Sequence, residues 1–323
     1  MEIRPYSPGD ETAIRALFQA VFRKEMTEAY WNWRYRDNPA AGPMIDLMWD
    51  GAELVGHYAV SPVGLQVNGT AVLAALSMTT MTHPAYNGRG IFTTLAENLY
   101  ARIHRAQGVA AVFGFPNDQS HRGFVKNLAW QDLSALPTFS LKVRPDRVPA
   151  ADPRVRLLPA TEPFTDAHTA AARQALDRYA VAVDRTPAYL TWRYRLNPEA
   201  TYETFEWTAA GEPTYYVVTK RFNSFDTPGR QEVDILDLAV PNEPALIAAF
   251  VGALLAHYAA HEPVRLNLWL PLHDPRHLEL EKLGFTHIAP ITYAGVRSFD
   301  STLAPTLLSD RAWAFGFGDS DVY

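Results

Sequence analysis

Apolar and polar positions change period repeatedly along the chain, and each change marks an element. Residues 2–6 read as a first strand. Pro8-Gly9-Asp10 turns the chain, and Asp10 is placed to cap a helix to about residue 23. A second helical stretch over 27–36 stops before Asn38-Pro39, since the residue before a proline avoids the α region. Strands are predicted over 44–49, 53–67 and 72–82, separated by Asp50-Gly51 and by the hairpin pair Asn68-Gly69. The period then switches: Ile91, Leu95, Leu99 and Ile103 recur at a four-residue step and predict a helix over 91–107. Apolar 109–115 reads as a strand ending in the polar turn Pro116-Asn117-Asp118-Gln119-Ser120. Ser120 is placed to cap a short helix to about residue 128, and another strand is expected over 138–143.

The same order then begins again. Residues 145–163 are rich in proline, arginine and alanine and read as a connection. Beyond them Tyr30-Trp31-Asn32-Trp33-Arg34-Tyr35-Arg36-Asp37-Asn38-Pro39 returns as Tyr189-Leu190-Thr191-Trp192-Arg193-Tyr194-Arg195-Leu196-Asn197-Pro198, with seven of ten positions identical. A match of that quality implies two copies of one fold. Strands over 204–207, 215–221 and 233–240, a helix over 244–260, a strand over 264–270, a helix over 275–283 and a strand over 286–296 complete the second copy. The predicted organisation is a domain over 1–145, a linker over 146–165, a second domain over 166–300 and a tail over 301–323. In the tail Trp313, Phe315 and Phe317 alternate as if to dock on a sheet.

Composition narrows the chemistry. The 323 residues carry a net charge of −6 and are 48% hydrophobic, a globular balance that argues against nucleic acid or an anionic membrane as partner. With no cysteine, thiolate nucleophiles and Cys-ligated metals are excluded, and a cytoplasmic location is expected. No metal site is expected. The longest apolar run, 245–256, is too short to span a bilayer and reads as a buried helix.

The chemistry-bearing stretch is the strand-to-helix junction Thr82-His83-Pro84-Ala85-Tyr86-Asn87-Gly88-Arg89-Gly90-Ile91-Phe92-Thr93-Thr94. A helix N-terminus offers unpaired amides and a positive dipole end to an anion, and Gly88 and Gly90 let the backbone come close to it. The equivalent junction of the second copy, Val240-Pro241-Asn242-Glu243-Pro244, has no glycine, loses donors at two prolines and carries an acidic residue. Only the first copy is expected to hold a phosphate.

With the element order, Pro84-Ala85-Tyr86-Asn87-Gly88-Arg89-Gly90-Ile91 resembles the coenzyme signature of the GNAT acyl-CoA N-acyltransferases. Phe113-Gly114-Phe115-Pro116-Asn117, Gly123-Phe124 and Leu128-Ala129-Trp130 are similar to the elements downstream of it. The Trp-Arg-Tyr repeat and Asp319-Ser320-Asp321 resemble a tandem subgroup. The resemblance implies an α/β (α+β) chain of two GNAT-like domains, each a mixed, mostly antiparallel twisted sheet flanked by helices. It implies acetyl-CoA as cosubstrate, held by the backbone at Met81 and Thr82, by Asn87, Gly88, Arg89, Gly90, Ile91, Phe92 and Thr93, and by Asn117 and Phe124. Met81 is the implied oxyanion donor. The implied reaction is direct attack by a primary amine of a small molecule, an amino sugar among the options. A peptide or protein amine, and a non-catalytic acyl-CoA-binding protein, are the alternatives.

The family's proton-donating tyrosine falls at Phe124, which has no proton to give. The remaining candidates are histidines. His57 is either a general base facing the cleft or a satisfied sheet residue. His83 precedes the glycine loop. His121 forms a polar group with Asp118 and Arg122, read either as proton-transfer machinery or as a solvated helix cap. Trp33-Arg34-Tyr35 is either a pocket wall or core, the second being favoured because the element persists in the copy without the loop.

Overall fold

The computed structural model describes all residues except Pro145, Arg147, Phe225, Asp226, Glu262, Val264 and Tyr323. The expected strand start at Val264, the connection at Pro145 and Arg147, and the tail end at Tyr323 lie outside the described residues. Two compact units form. One comprises Met1–Ser134, Leu196–Glu199 and Tyr293–Asp310; the other comprises Ala135–Arg195, Ala200–Thr292 and Arg311–Tyr323. Among the described residues no helix is long and apolar enough to cross a membrane.

In the first unit β1 (Glu2–Pro5), β2 (Met44–Asp50), β3 (Glu53–Val67) and β4 (Thr70–Thr82) pair antiparallel in that order, and β4 pairs parallel with β5 (Ala111–Gly114). Strand alternation sends neighbouring side chains to opposite faces. Met44, Met48, Tyr58, Val60 and Ala75 pack with α3 (Ile91–Gln107) through Ile91, Leu95, Leu99 and Ile103. Ile45, Leu47, Ala59, Met78 and Met81 pack instead with Ile14 and Leu17 of α1 (Glu11–Phe22) and with Trp31 of α2 (Glu28–Trp31). The continuous helix expected over 27–36 is a single α turn capped by Thr27 Oγ1, followed by a π turn over Asn32–Arg36. That wider turn buries Trp33, Arg34 and Tyr35 together, which answers the pocket-or-core question in favour of core.

In the second unit β7 (Val155–Leu158), β9 (Glu203–Trp207), β10 (Tyr216–Asn223), β11 (Gln231–Ala239) and β12 (Arg265–Leu268) form the sheet, all antiparallel except β11 with β12. The strand β8 (Val181–Val183) carries the residue Val181 that bridges Trp313. Packed helices are α5 (Asp166–Ala175), α6 (Pro187–Tyr194), the mainly apolar α7 (Pro244–Tyr258) and α8 (Arg276–Lys282). The segment 146–165 is more than a linker: β7 lies inside it, with Val155 and Leu158 buried against the sheet.

Each unit takes its last strand from the other half of the sequence. In the first unit β13 (Thr286–Ser298) lays Gly295–Ser298 antiparallel on β5, and α9 (Ala304–Leu307) follows it. In the second unit the strand from the first copy, β6 (Gln131–Lys142), lays Phe139–Lys142 on β12. Apolar alternation specifies a strand but not its neighbour, so the pattern along the chain placed each strand in its own copy.

Candidate functional site

β4 and β5 pair at only two positions among the described residues, Ala75↔Val112 and Leu76↔Phe113. β5 ends at Gly114 while β4 continues to Thr82, so the strands part after Leu76. In the same stretch β4 bulges. His57 pairs with Met81 and Ala59 with Met78, leaving Thr79 and Thr80 opposite Tyr58, and Thr79 sits at φ +34°. The imidazole of His57 holds this bulge: Nδ1 donates to the Thr79 carbonyl at 3.0 Å.

His83 N–H donates to Val55 O at 2.9 Å, and that bond fixes the ladder's phase. By antiparallel alternation the Met81 amide also faces β3, while the Thr82 amide faces the open side. The backbone donor toward the gap is therefore Thr82 and not Met81, whose side chain is in the core.

The glycine loop follows. Pro84–Tyr86 makes a 3-10 turn, with His83 Nδ1 accepting from the Ala85 amide at 3.3 Å. Gly88 and Gly90 stand at φ +77° and +73°, a region that disfavours any Cβ, and a Cβ at either would meet nothing within 4 Å. Gly90 caps α3, so the amides of Ile91, Phe92 and Thr93 begin the helix without intrahelical acceptors. Thr94 Oγ1 donates back to Gly90 O at 2.9 Å, which leaves Thr93 as the hydroxyl of this turn for a ligand. Asn87 is exposed, and the Arg89 guanidinium lies 4.6 Å over the Tyr86 ring. Tyr86 donates to Asp50 and Glu53, and those acids push its phenol up to about 12. Open amides, two left-handed glycines and an unfilled space in front of them fit a pyrophosphate group.

The remaining candidates separate. His57 is wholly buried, and burial pushes its imidazole down to about 4; its Nε2 has no hydrogen-bond partner among the described residues. It is a neutral structural histidine, not an exposed base. His83 is half-buried, with Nε2 3.9 Å from Glu53. His121 lies on α4 (Asp118–Asn127), bonds Asp132 through Nε2 at 2.6 Å and stacks on Tyr293 at 4.3 Å. The Asp118 side chain lies outside the described residues. The cap of α4 is Asn117 and not Ser120: Asn117 Oδ1 accepts from the Ser120 amide at 3.0 Å, as a short amide side chain does at a helix start. Phe124 is buried, with its ring 5.3 Å from Phe92 and 4.6 Å from Trp130, so it is core rather than a coenzyme contact. Phe92 is half-buried and packs on Tyr58 at 5.7 Å.

Two features had no signal in the sequence, and a third was signalled only by the aromatic alternation of the tail. One is the bulge at Thr79. The second is a buried hydroxyl chain in which Trp130 Nε1, Tyr100, Tyr58 and Ser77 follow one another at 3.3, 2.6 and 3.0 Å. The third lies in the second unit. There β11 and β12 also part, after Ile235↔Leu268, but the tail fills the gap. Gly316 and Gly318 lie so close to the Leu236 carbonyl that a Cβ would sit 3.1 and 2.9 Å from it, and Phe317 lies 4.6 Å from Trp269. Arg193 of the repeated Trp-Arg-Tyr donates to the carbonyls of Gly318 and Ser320, and Arg185 pairs with Asp237 and Asp319. The tail thus docks as its aromatic alternation suggested.

A family model for the acetyltransferase (GNAT) domain matches residues 2–131. A GCN5-related N-acetyltransferase from Anabaena variabilis ATCC 29413 superposes with a TM-score of 0.70 at 15% identity, over 94% of this chain and 74% of that one. A probable N-acyltransferase from Enterococcus faecalis V583 gives 0.69 at 11% identity over 94% and 74%. Eis1 from Mycobacterium abscessus gives 0.61 at 18% over 96% and 76%. These likenesses show a shared fold along nearly the whole chain. No curated protein matches the sequence significantly. The parted central strands and the glycine-capped helix lie inside residues 2–131, the segment that matches the GNAT acetyltransferase domain, a domain of acyltransferase enzymes.

Proposed function

We propose that the first unit transfers an acetyl group from acetyl-CoA to the primary amine of a small molecule by direct attack. The observation that carries this reading is the parting of β4 from β5 directly upstream of the glycine-capped helix. Gly88, Gly90 and the amides of Ile91, Phe92 and Thr93 hold the pyrophosphate, with the Thr93 hydroxyl and Arg89 beside them. The open edge of β4 at Thr82 bonds the amides of the arm. The coenzyme supplies an activated acyl carbon, so the protein needs no nucleophile; it positions the amine and removes a proton. His121, oriented by Asp132, takes the proton-transfer role that Phe124 cannot fill.

The second unit serves as scaffold. Its junction lacks the glycines, and its own tail occupies the gap between its central strands.

The test has two parts. Acetyl-CoA is expected to raise the melting temperature of the wild-type protein, because a ligand bound to the folded state stabilises it by mass action. Gly90→Glu, which puts a carboxylate where the phosphate would sit, is expected to abolish that rise. Release of free CoA thiol is then followed across a panel of amines. No stabilisation by acetyl-CoA overturns the proposal. Stabilisation with thiol release on no amine favours a binding protein, and release on peptide amines alone moves the acceptor class to peptides.

A further inference from the structure

We propose that Ser77 is a catalytic hydrogen-bond donor to the thioester sulfur, aligned by Tyr58, Tyr100 and Trp130. The inference rests on the coenzyme reading above and concerns a residue outside the glycine loop. Ser77 is the first residue of β4 after its last pair with β5, so it stands at the root of the gap. A Cβ on Gly114, the last residue of β5, would sit 3.3 Å from the Ser77 Cβ and 3.3 Å from the Trp130 ring; the missing side chain lets Ser77 and the Trp130 ring close in together beside the end of β5. From Ser77 to Thr82 the strand spans about 17 Å, along which an arm anchored at the glycine loop can lie with its reacting end toward Ser77.

The direction of the hydroxyl chain follows from its inner end. An indole N–H can only donate, so Tyr100 Oη accepts from Trp130 at 3.3 Å. Were the chain to run inward, Tyr100 would be left with a hydrogen that has no acceptor among the described residues at a site only 1% exposed, and a buried donor without an acceptor is costly. Running outward, Tyr100 donates to Tyr58 at 2.6 Å and Tyr58 donates to Ser77 Oγ at 3.0 Å. The unspent hydrogen is then that of Ser77, at the edge of the gap. Burial raises both phenols, so neither gives up its proton and the chain keeps its polarity.

The chemistry balances without a change in the protonation of Ser77. The amine nitrogen bonds the acyl carbon, the carbon–sulfur bond breaks, and its electron pair stays on sulfur. The amine's extra proton passes to the imidazole of His121, the proton-transfer group proposed above, and the thiolate is stabilised by the Ser77 O–H. In the second unit the position after the last β11–β12 pair is Leu236, which has no hydroxyl to offer.

The decisive measurement is the pKa of the CoA thiol bound to the protein, read from thiolate ultraviolet absorbance, alongside kcat. Ser77→Ala is expected to raise the bound thiol's pKa by about one to two units and to lower kcat roughly ten- to a hundredfold, with CoA affinity at neutral pH little changed. Tyr58→Phe keeps the ring but frees Ser77 to turn, and a smaller shift in the same direction is expected. If both variants bind CoA with the wild-type thiol pKa, the proposal is overturned. If the wild type itself gains no stability from CoA, the coenzyme reading falls with it; that outcome is separable because it appears before any substitution.

Discussion

His57 shows how a residue's role turns on its surroundings. A histidine after a glycine on a central strand reads in the sequence as a base or, more commonly, as a satisfied sheet residue. In the folded chain it is a wedge: fully buried, donating to Thr79 O, and held neutral by burial to about 4. Because the folded value lies below the ordinary 6.5, the unfolded chain binds more protons between the two. Stability contributed by neutral His57 is present above pH 6.5 and is lost as pH falls toward 4, by about 3 kcal/mol in full. His57→Asn places an amide N–H where Nδ1 stands and cannot titrate. Its melting temperature is expected to fall less steeply than the wild type's between pH 6.5 and 4. Parallel melting curves for the two proteins would show that His57 is not buried neutral. Phe124 teaches the converse lesson. The absence of a phenol was readable in the sequence, but its place in the core was not, because burial against Phe92 and Trp130 depends on tertiary packing.

At the scale of elements, the junction of β4 with α3 was the most legible part of the molecule. Two glycines before a four-residue apolar step leave few alternatives to a capped helix, and both adopt the left-handed conformation only glycine takes at ease. The bulge at Thr79 was not legible, since it depends on the register with β3; the π turn after Trp31 and the Asn117 cap are local, and the cap was missed because Asn117 and Ser120 are both good capping residues in the same turn. A less obvious determinant is Gly56 on β3. A Cβ there would come within 2.5 Å of Ile91 Cγ2 and 2.9 Å of Leu95 Cδ1. The missing side chain lets the first turn of α3 settle on the sheet, and so sets where the helix amides point. Gly56→Ala is expected to cost about 1–3 kcal/mol by overpacking. It is also expected to weaken the stabilisation by acetyl-CoA, because the amides at Ile91–Thr93 shift with the helix. Thermal melts with and without coenzyme check both effects, and an unchanged coenzyme response would show that Gly56 governs packing alone.

For the whole molecule, the repeated Trp-Arg-Tyr made the two-copy plan readable, but the copies are not independent lengths of chain. The strand beside β5 comes from residues 295–298, more than 180 positions downstream of it. Its neighbours reinforce the exchange: Arg297 bonds Glu97 and the Leu128 carbonyl, and Phe299 packs on Tyr100 at 5.5 Å. A fragment ending at residue 145 keeps every residue of the glycine loop yet leaves one edge of β5 without its ladder and Tyr100 without part of its packing. An exposed central edge binds other chains rather than water alone. Residues 1–145 expressed alone are therefore expected to aggregate or to unfold without a cooperative transition. Co-expression with residues 146–323 is expected to restore a complex stabilised by acetyl-CoA, since β13 then returns to β5 and β6 to β12. Size-exclusion chromatography and thermal melting of the fragment and of the pair decide the matter. A monomeric fragment with a cooperative melt and a coenzyme response would mean that the exchanged strand is dispensable and that the first copy is a domain in its own right.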